Sequence, residues 1–411
     1  MHKATYLEGR VELTIEPDGP ILIKAGESGG GEPTRPDMEF VRTRFRGAPA
    51  APPDDSRARQ ADQIYLPGPS LKGVVRAQAE RIARTLDSDA LQQESLARRQ
   101  ELDRREWQAL VRREQARARA EGRPEPAEQD LRSKQARPDA KLPLADNPLA
   151  DAYQRAAEDE KQKEDDRFHE EAQYRGIEDM RYSSGRYVES IRGSLRDYPE
   201  RTAIIYRRSS LVSQIFGHTG LAGRVRFADA YGQGVVTEER NGVAIDRIYG
   251  SVAVGPFNYE AVIAGRFPTS VDFKNVTLAQ LALLGLALRD LAEGRIALGF
   301  GKSRGMGRVR ATFGSLELRY PACEPSGGWL RLLGGRKIVE IGRLAGVGAF
   351  EPQSPYDFPE DDQVDLPAGL AYRPDEERGM GTLLRAEGHE AVRSIWRACM
   401  PAWKRAIGWA P

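Results

Sequence analysis

Cysteine and histidine are scarce in this chain: two cysteines, Cys323 and Cys399, and four histidines among 411 residues. Two cysteines build neither a disulfide framework nor a zinc quartet, and they suit a reducing, cytoplasmic compartment. Imidazole chemistry has only His2, His169, His218 and His389 to draw on. No apolar stretch is long enough to span a bilayer. The amino terminus runs straight into Thr5-Tyr-Leu-Glu-Gly-Arg-Val-Glu-Leu13 without a signal-like apolar core, so no membrane role is expected. A surplus of one charge is missing too. The 62 Lys and Arg face 61 Asp and Glu, a formal net charge of +1, so any nucleic-acid binding must come from local placement of cations rather than overall basicity.

What the chain does have is length and a 40% hydrophobic content, ample for more than one packed unit. It also has two glycine-punctuated basic segments far apart. One is Leu66-Pro-Gly-Pro-Ser-Leu-Lys-Gly-Val-Val-Arg76, the other Gly299-Phe-Gly-Lys-Ser-Arg-Gly-Met-Gly-Arg-Val309. Glycine lets backbone approach a phosphodiester closely while neighbouring cations neutralise it. Gly301-Lys302-Ser303 looks like the end of a nucleotide-binding loop, but that pattern needs a glycine where Ile296 stands and a helix after the serine. Arg308-Val-Arg-Ala-Thr-Phe313 alternates like a strand instead.

Along the chain, Leu7, Val11 and Leu13, the turn Pro17-Asp-Gly-Pro20 and Ile21 to Ile23 predict an opening hairpin. Residues 25–63 have no period and read as a long loop. Ser70 is placed as N-cap of a helix whose apolar face is Leu71, Val74, Val75, Ile82 and Leu86. Residues 87–180 form an insertion rich in alanine and charge. Its prolines divide it into a first helix with Trp107, an irregular middle, and a second helix holding Tyr153, Phe168 and Tyr174; it reads as a solvated arm, or as a docking surface for another subunit. Ala203-Ile-Ile-Tyr206 and residues 223–230 are expected to be strands, and Ile245-Asp-Arg-Ile-Tyr249 with residues 257–263 a protruding hairpin. Thr277 caps a helix with a buried stripe of Leu278, Leu281, Leu284, Leu288 and Leu291, closed by Gly294. A terminal helix follows, with Val392, Ile395, Trp396, Cys399 and Trp403 at helical spacing and a kink or restart at Pro401. Two strand–helix–strand passages give an α+β, ferredoxin-like fold.

Three blocks in this order resemble the RAMP superfamily of CRISPR effector proteins, and most closely the backbone subunit of type III complexes. They are the 66–76 block, Ile215-Phe-Gly-His-Thr-Gly-Leu-Ala-Gly-Arg-Val-Arg-Phe-Ala-Asp-Ala230, and the 299–309 loop. The resemblance implies a ferredoxin-like (RRM-like) core over residues 1–86 and 181–315 with a thumb β-hairpin near 240–263. The charged insertion at 87–180 and a C-terminal extension at 316–411 lie outside it. It implies a crRNA-binding subunit whose partners are crRNA, complementary target RNA, neighbouring RAMP proteins and the large polymerase-like subunit.

On this sequence the implied RNA contacts are Arg42, Ser70, Lys72, Arg76, Gly301, Lys302, Arg304 and Arg308, with Arg247 and Phe257 on the thumb. Family members share an aspartate followed five residues later by a basic residue. Pro36-Asp-Met-Glu-Phe-Val-Arg42 fits at Asp37 and Arg42, which makes Asp37 the implied catalytic and metal-binding residue of a target-RNA endoribonuclease using Mg2+ or Mn2+. Glu32 and Glu39 are the nearby substitutes. Where some relatives carry zinc-binding cysteines this chain has Tyr206-Arg-Arg-Ser-Ser210, so no zinc is expected. The alternatives are a noncatalytic RNA-binding scaffold or capping subunit, and a guide-processing ribonuclease, for which His218 is read as structural or as an RNA contact.

Overall fold

A computed structural model describes residues 4–25, 36–44, 62–86, 89–134, 193, 195, 198, 201–245, 248 and 252–409. The first half contains β1 (Glu8–Pro17), β2 (Arg42–Arg44), β3 (Asp62–Leu66), α1 (Gly68–Leu86), α2 (Asp89–Ala120), α3 (Arg201–Arg207) and α4 (Leu211–Phe216). Next come β4 (Val225–Phe227), β5 (Ala230–Tyr231), β6 (Gln233–Ile245), β7 (Val252–Lys274), α5 (Leu278–Ala292) and β8 (Val309–Tyr320). The remainder is β9 (Cys323–Ser326), β10 (Trp329–Leu332), β11 (Lys337–Glu340), β12 (Arg343–Ala345), β13 (Gln363–Asp365), β14 (Arg373–Pro374), β15 (Thr382–Glu387) and α6 (His389–Ala406).

Strand β1 alternates buried and exposed positions, with Val11, Leu13 and Ile15 facing the core. It pairs antiparallel with β7 on one edge and β8 on the other, so Val11 stands opposite both Val271 and Leu316. The main sheet runs β14-β15-β8-β1-β7-β4, with β6 paired to the far part of β7. Smaller sheets are β11-β10-β9, β12-β13 and β2-β3-β5. The architecture is therefore α+β with antiparallel sheets.

Because both edges of β1 are occupied, the expected hairpin between residues 7–13 and 21–23 does not form. Ile21 bridges Val262 of β7 instead. The expected strand at Ala203–Tyr206 is helical, within α3. A short apolar run reads equally as strand or buried helix, and here Ala203, Ile204 and Tyr206 are all buried. Helix α1 starts two residues before Ser70, whose N–H donates to Pro67 O at 3.0 Å, so Ser70 lies in the first turn rather than at the cap.

Helix α5 is capped as its sequence predicts: Thr277 and Gln280 form a reciprocal capping box. Its burial is not a stripe, however. Thirteen of its residues are buried, because the helix lies between the sheet, α1 and α6. The residues after 315 continue this unit: β8 reaches Tyr320, Leu384 of β15 pairs with Leu318, and α6 runs through Pro401 without a break. Trp396 of α6 lies against Gly285 of α5, where a Cβ would sit 2.3 Å from Cγ of the indole, and Phe313 meets Trp396 edge-on at 4.7 Å. Asp362 ties the same helix to the C-terminal residues, accepting from Leu278 N and Gly348 N, each at 2.9 Å.

A second, smaller core docks the start of the insertion. Trp107 and Leu110 of α2 pack with Leu131, Leu195, Tyr198 and Ile204, and Trp107 Nε1 donates to Glu128 at 2.7 Å. The second insertion helix expected around Tyr153, Phe168 and Tyr174 lies outside the described residues. Among the described residues no helix is long and apolar enough to cross a membrane.

Two tests follow from this packing. Gly285→Ala gains up to about 1 kcal/mol of helix propensity but drives a methyl into a tryptophan that cannot retreat, so a net loss of ~1–3 kcal/mol is expected in urea unfolding. Burial raises the Asp362 carboxyl from 3.8 to about 6. A raised folded-state value gives stability that is fully present below the unfolded pKa and lost as pH rises through the folded one. The wild type should therefore lose roughly 2 kcal/mol relative to Asp362→Asn between about pH 4 and about pH 7, measured by unfolding at both.

Candidate nucleic-acid interface

The 299–307 loop is built on glycines in left-handed conformation. Gly299 and Gly307 have φ of 74° and 86°, and a Cβ on either would lie 2.1 Å from a backbone oxygen, Leu22 O and Leu298 O respectively. That close approach lets the loop dock on residues 20–25. Phe300 N donates to Leu22 O at 2.7 Å, and Gly307 N donates to Pro20 O at 2.8 Å. Met306 is buried beneath, while Lys302 and Arg304 stand exposed on a single 3-10 turn that starts after Gly301. A strand, not a helix, follows, which removes the nucleotide-loop reading.

The same residues 20–25 carry the acidic loop. Lys24 bridges Phe40, Val41 N donates to Ile23 O at 2.9 Å, and Ala25 N donates to Glu39 O at 3.2 Å. On its other side the loop pairs with β7: Met38 N donates to Asn258 O at 3.2 Å and Glu260 N to Met38 O at 2.9 Å. Asp37 is exposed, and its Oδ2 accepts from Asn258 N at 2.9 Å. Arg42 is ion-paired with Glu260, which also accepts from Phe40 N at 3.2 Å.

Cations and aromatic rings converge where these pieces meet. Lys24 Nζ lies 4.3 Å from the Phe300 ring centre, and the Arg304 guanidinium 5.7 Å from Phe257 and 5.8 Å from Phe300. Among the described residues neither Lys302 nor Arg304 takes part in an ion pair. Such a surface attracts phosphates and sets aromatic rings beside the cations that would hold them. Asp37, Arg304, Lys302 and Phe257 are thus brought together. Lys24, Phe300, Asn258 and Glu260 join them, four residues that the sequence reading did not pick out. Only Phe300, an aromatic between two glycines in the basic loop, carried a local signal.

Lys72 and Arg76 stand apart, on α1 against the 213–223 segment. Arg76 donates to Glu80 at 2.9 Å, to Gly217 O at 2.9 Å and to Ser213 Oγ at 3.4 Å. Lys72 is half-buried, and a Cβ on Gly223 would lie 3.3 Å from its Nζ. Burial first, and the Arg76 charge second, pull its ammonium below the usual lysine range. Gly68 N donates to Asp229 at 2.7 Å, so the first two sequence blocks pack on each other. Arg308 is paired with Asp18 at 2.8 Å, outside the aromatic cluster. Arg247 lies outside the described residues, as does Glu32.

His218 is tied into the packing of the second block. Its Nδ1 accepts from Gly220 N at 3.1 Å, which leaves Nε2 to donate to Ser209 Oγ at 2.9 Å, and Ser209 donates onward to Ile205 O at 2.7 Å. Both ring nitrogens are thereby committed to structure. The β6/β7 hairpin carries exposed apolar side chains, Val236, Val243 and Val252 among them, and Ile248 at its end is 84% exposed. Among the described residues no three His, Cys, Asp or Glu side chains converge on a point that could hold a metal.

Comparison with protein-family models matches residues 14–310 to the RAMP superfamily. No curated protein matches the chain.

The loop's dependence on backbone approach is testable by paired substitutions. Gly305 has φ of 78° with open space around its Cβ position, whereas Gly307 meets Leu298 O. Gly305→Ala should cost about 1 kcal/mol from backbone strain alone, and Gly307→Ala clearly more, with faster amide exchange across 298–307.

Proposed function

The chain belongs to the RAMP superfamily, which makes it a CRISPR-associated RNA-binding subunit, and on that premise we propose that it is a crRNA-binding backbone subunit of a type III effector complex that cleaves guide-paired target RNA. One observation carries the reading: the exposed Asp37 carboxylate is fixed by the Asn258 amide on the hairpin strand, beside the Phe257–Arg304–Phe300 cluster. In this reading the sheet and its helices are the ferredoxin-like core and the β6/β7 hairpin is the thumb, whose exposed apolar side chains part the guide–target duplex. The partners are crRNA, target RNA, neighbouring RAMP subunits and the large polymerase-like subunit, in the cytoplasm.

Lys24, Lys302 and Arg304 hold the phosphates of an RNA strand, and Phe300 and Phe257 present faces to its bases, giving affinity without sequence preference. Lys72 and Arg76, on α1 against the 213–223 segment, lie apart from this cluster. Asp37 orients the 2′-hydroxyl next to the scissile phosphate for in-line attack, in which the 2′-oxygen bonds to phosphorus as the bond to the 5′-oxygen breaks, the hydroxyl gives up its proton and the leaving oxygen takes one up from solvent. A carboxylate is a usual donor for Mg2+, so Asp37 is the residue that would hold a Mg2+ or Mn2+ ion, which would supply charge neutralisation at the reacting phosphate.

The test uses the complex purified with its guide. Asp37→Ala should leave assembly and guide content unchanged and lower cleavage at this subunit's positions by roughly a hundredfold or more, read on end-labelled target RNA. Undiminished cleavage at every position would leave a noncatalytic scaffold as the function.

A further inference from the structure

We propose that Glu260 is a positioning residue for Asp37, clamping the acidic loop to β7 so that the hairpin strand sets where the carboxylate stands; this rests on the reading of Asp37 as the cleaving group. The loop at 36–41 is not part of a strand, and Asp37 itself is exposed. Its attachment to β7 is a ladder of consecutive contacts. Asn258 N holds Asp37 Oδ2 at 2.9 Å, and Met38 exchanges hydrogen bonds with Asn258 and Glu260. At the next step the Glu260 side chain takes over: one oxygen accepts from Phe40 N at 3.2 Å and the other receives the Arg42 guanidinium.

Several features make this carboxylate more than a surface charge. Its side chain is only 13% exposed, so its contacts are screened less than those of an open ion pair. It engages the acidic loop both through backbone, at Phe40, and through side chain, at Arg42. Phe40 is 1% exposed and anchored in the core, so the clamp joins a fixed point to β7. Without Glu260, a part-buried N–H and a cation lose their acceptor, and among the described residues the direct hydrogen bonds left between the loop and β7 are those of Met38 and the Asn258–Asp37 bond. A displacement of about 1 Å at a reacting group is enough to cost on the order of a hundredfold in rate.

The role is separable from RNA binding, because Glu260 is an anion and contributes no attraction to phosphate. In the guide-loaded complex, single-turnover cleavage at saturating target and the target dissociation constant are measured for the wild type, Asp37→Ala, Glu260→Ala and Glu260→Gln. Glu260→Ala is expected to slow this subunit's cuts about 10- to 100-fold with target affinity within about threefold of wild type. Glu260→Gln, which keeps a neutral oxygen acceptor, should recover part of the rate. If Asp37→Ala is inactive while Glu260→Ala and Glu260→Gln cut within twofold of wild type, the positioning role is wrong and the catalytic reading stands. If Asp37→Ala cuts normally, both fall. Should Glu260→Ala fail to assemble, Glu260→Gln decides: slower cutting at unchanged affinity supports the clamp, and wild-type cutting overturns it.

Discussion

The continuity of β7 is the constraint on which the rest of the molecule depends. One strand of 23 residues pairs with β1 from Phe267 to Lys274 and with β6 from Val252 to Arg266, so the main sheet and the β6/β7 hairpin share a single backbone. Every piece of the candidate interface is referenced to it. Residues 20–25 join it at Val262, the acidic loop joins it at Asn258 and Glu260, and the 299–307 loop reaches it through residues 20–25. A strand held along its length by antiparallel partners is a stiff ruler, which is what three loops need if they are to present groups at fixed separations.

Charge is arranged by subtraction. The chain is nearly neutral, and many of its arginines are matched by carboxylates: Arg308 and Arg310 by Asp18, Arg76 and Arg84 by Glu80, Arg319 by Glu317 and Asp375. The exposed pairs among them, those on Asp18, contribute little to stability. The effect of the pairing is to quiet most of the surface, so that Lys24 and Arg304, gathered around Phe300 and Phe257, and Lys302 on the same turn as Arg304 stand out against it.

Much of the fold could be read from local pattern, because local physics decided it. Thr277 with Gln280 is a capping box written in four residues, the alternation at Val11, Leu13 and Ile15 is a half-buried strand, and the glycines of the basic loop sit where left-handed backbone is needed. The misreadings came where a nonlocal partner decided. Ile21 to Ile23 had the pattern for pairing with β1, but β7 and β8 were already there. Ala203 to Tyr206 had β-branched residues, but the segment folds as a helix that buries Ala203, Ile204 and Tyr206 against two different clusters. The interface was half legible for the same reason. Asp37 and the basic loop carry motifs, whereas Asn258 and Glu260 lie about 220 residues from the loop they hold, and no spacing encodes that.

The two-fold anchoring of α5, through Trp396 over Gly285 and Asp362 on its first turn, bears on how the protein can be dissected. The superfamily match ends at residue 310, two residues into β8. A fragment cut there would lose the strand that seals one edge of β1 and the helix that covers α5, leaving an open hydrogen-bonding edge beside bared leucines. Such a truncation would associate with itself before it met any RNA, and its silence in a binding assay would say nothing about the residues it retained.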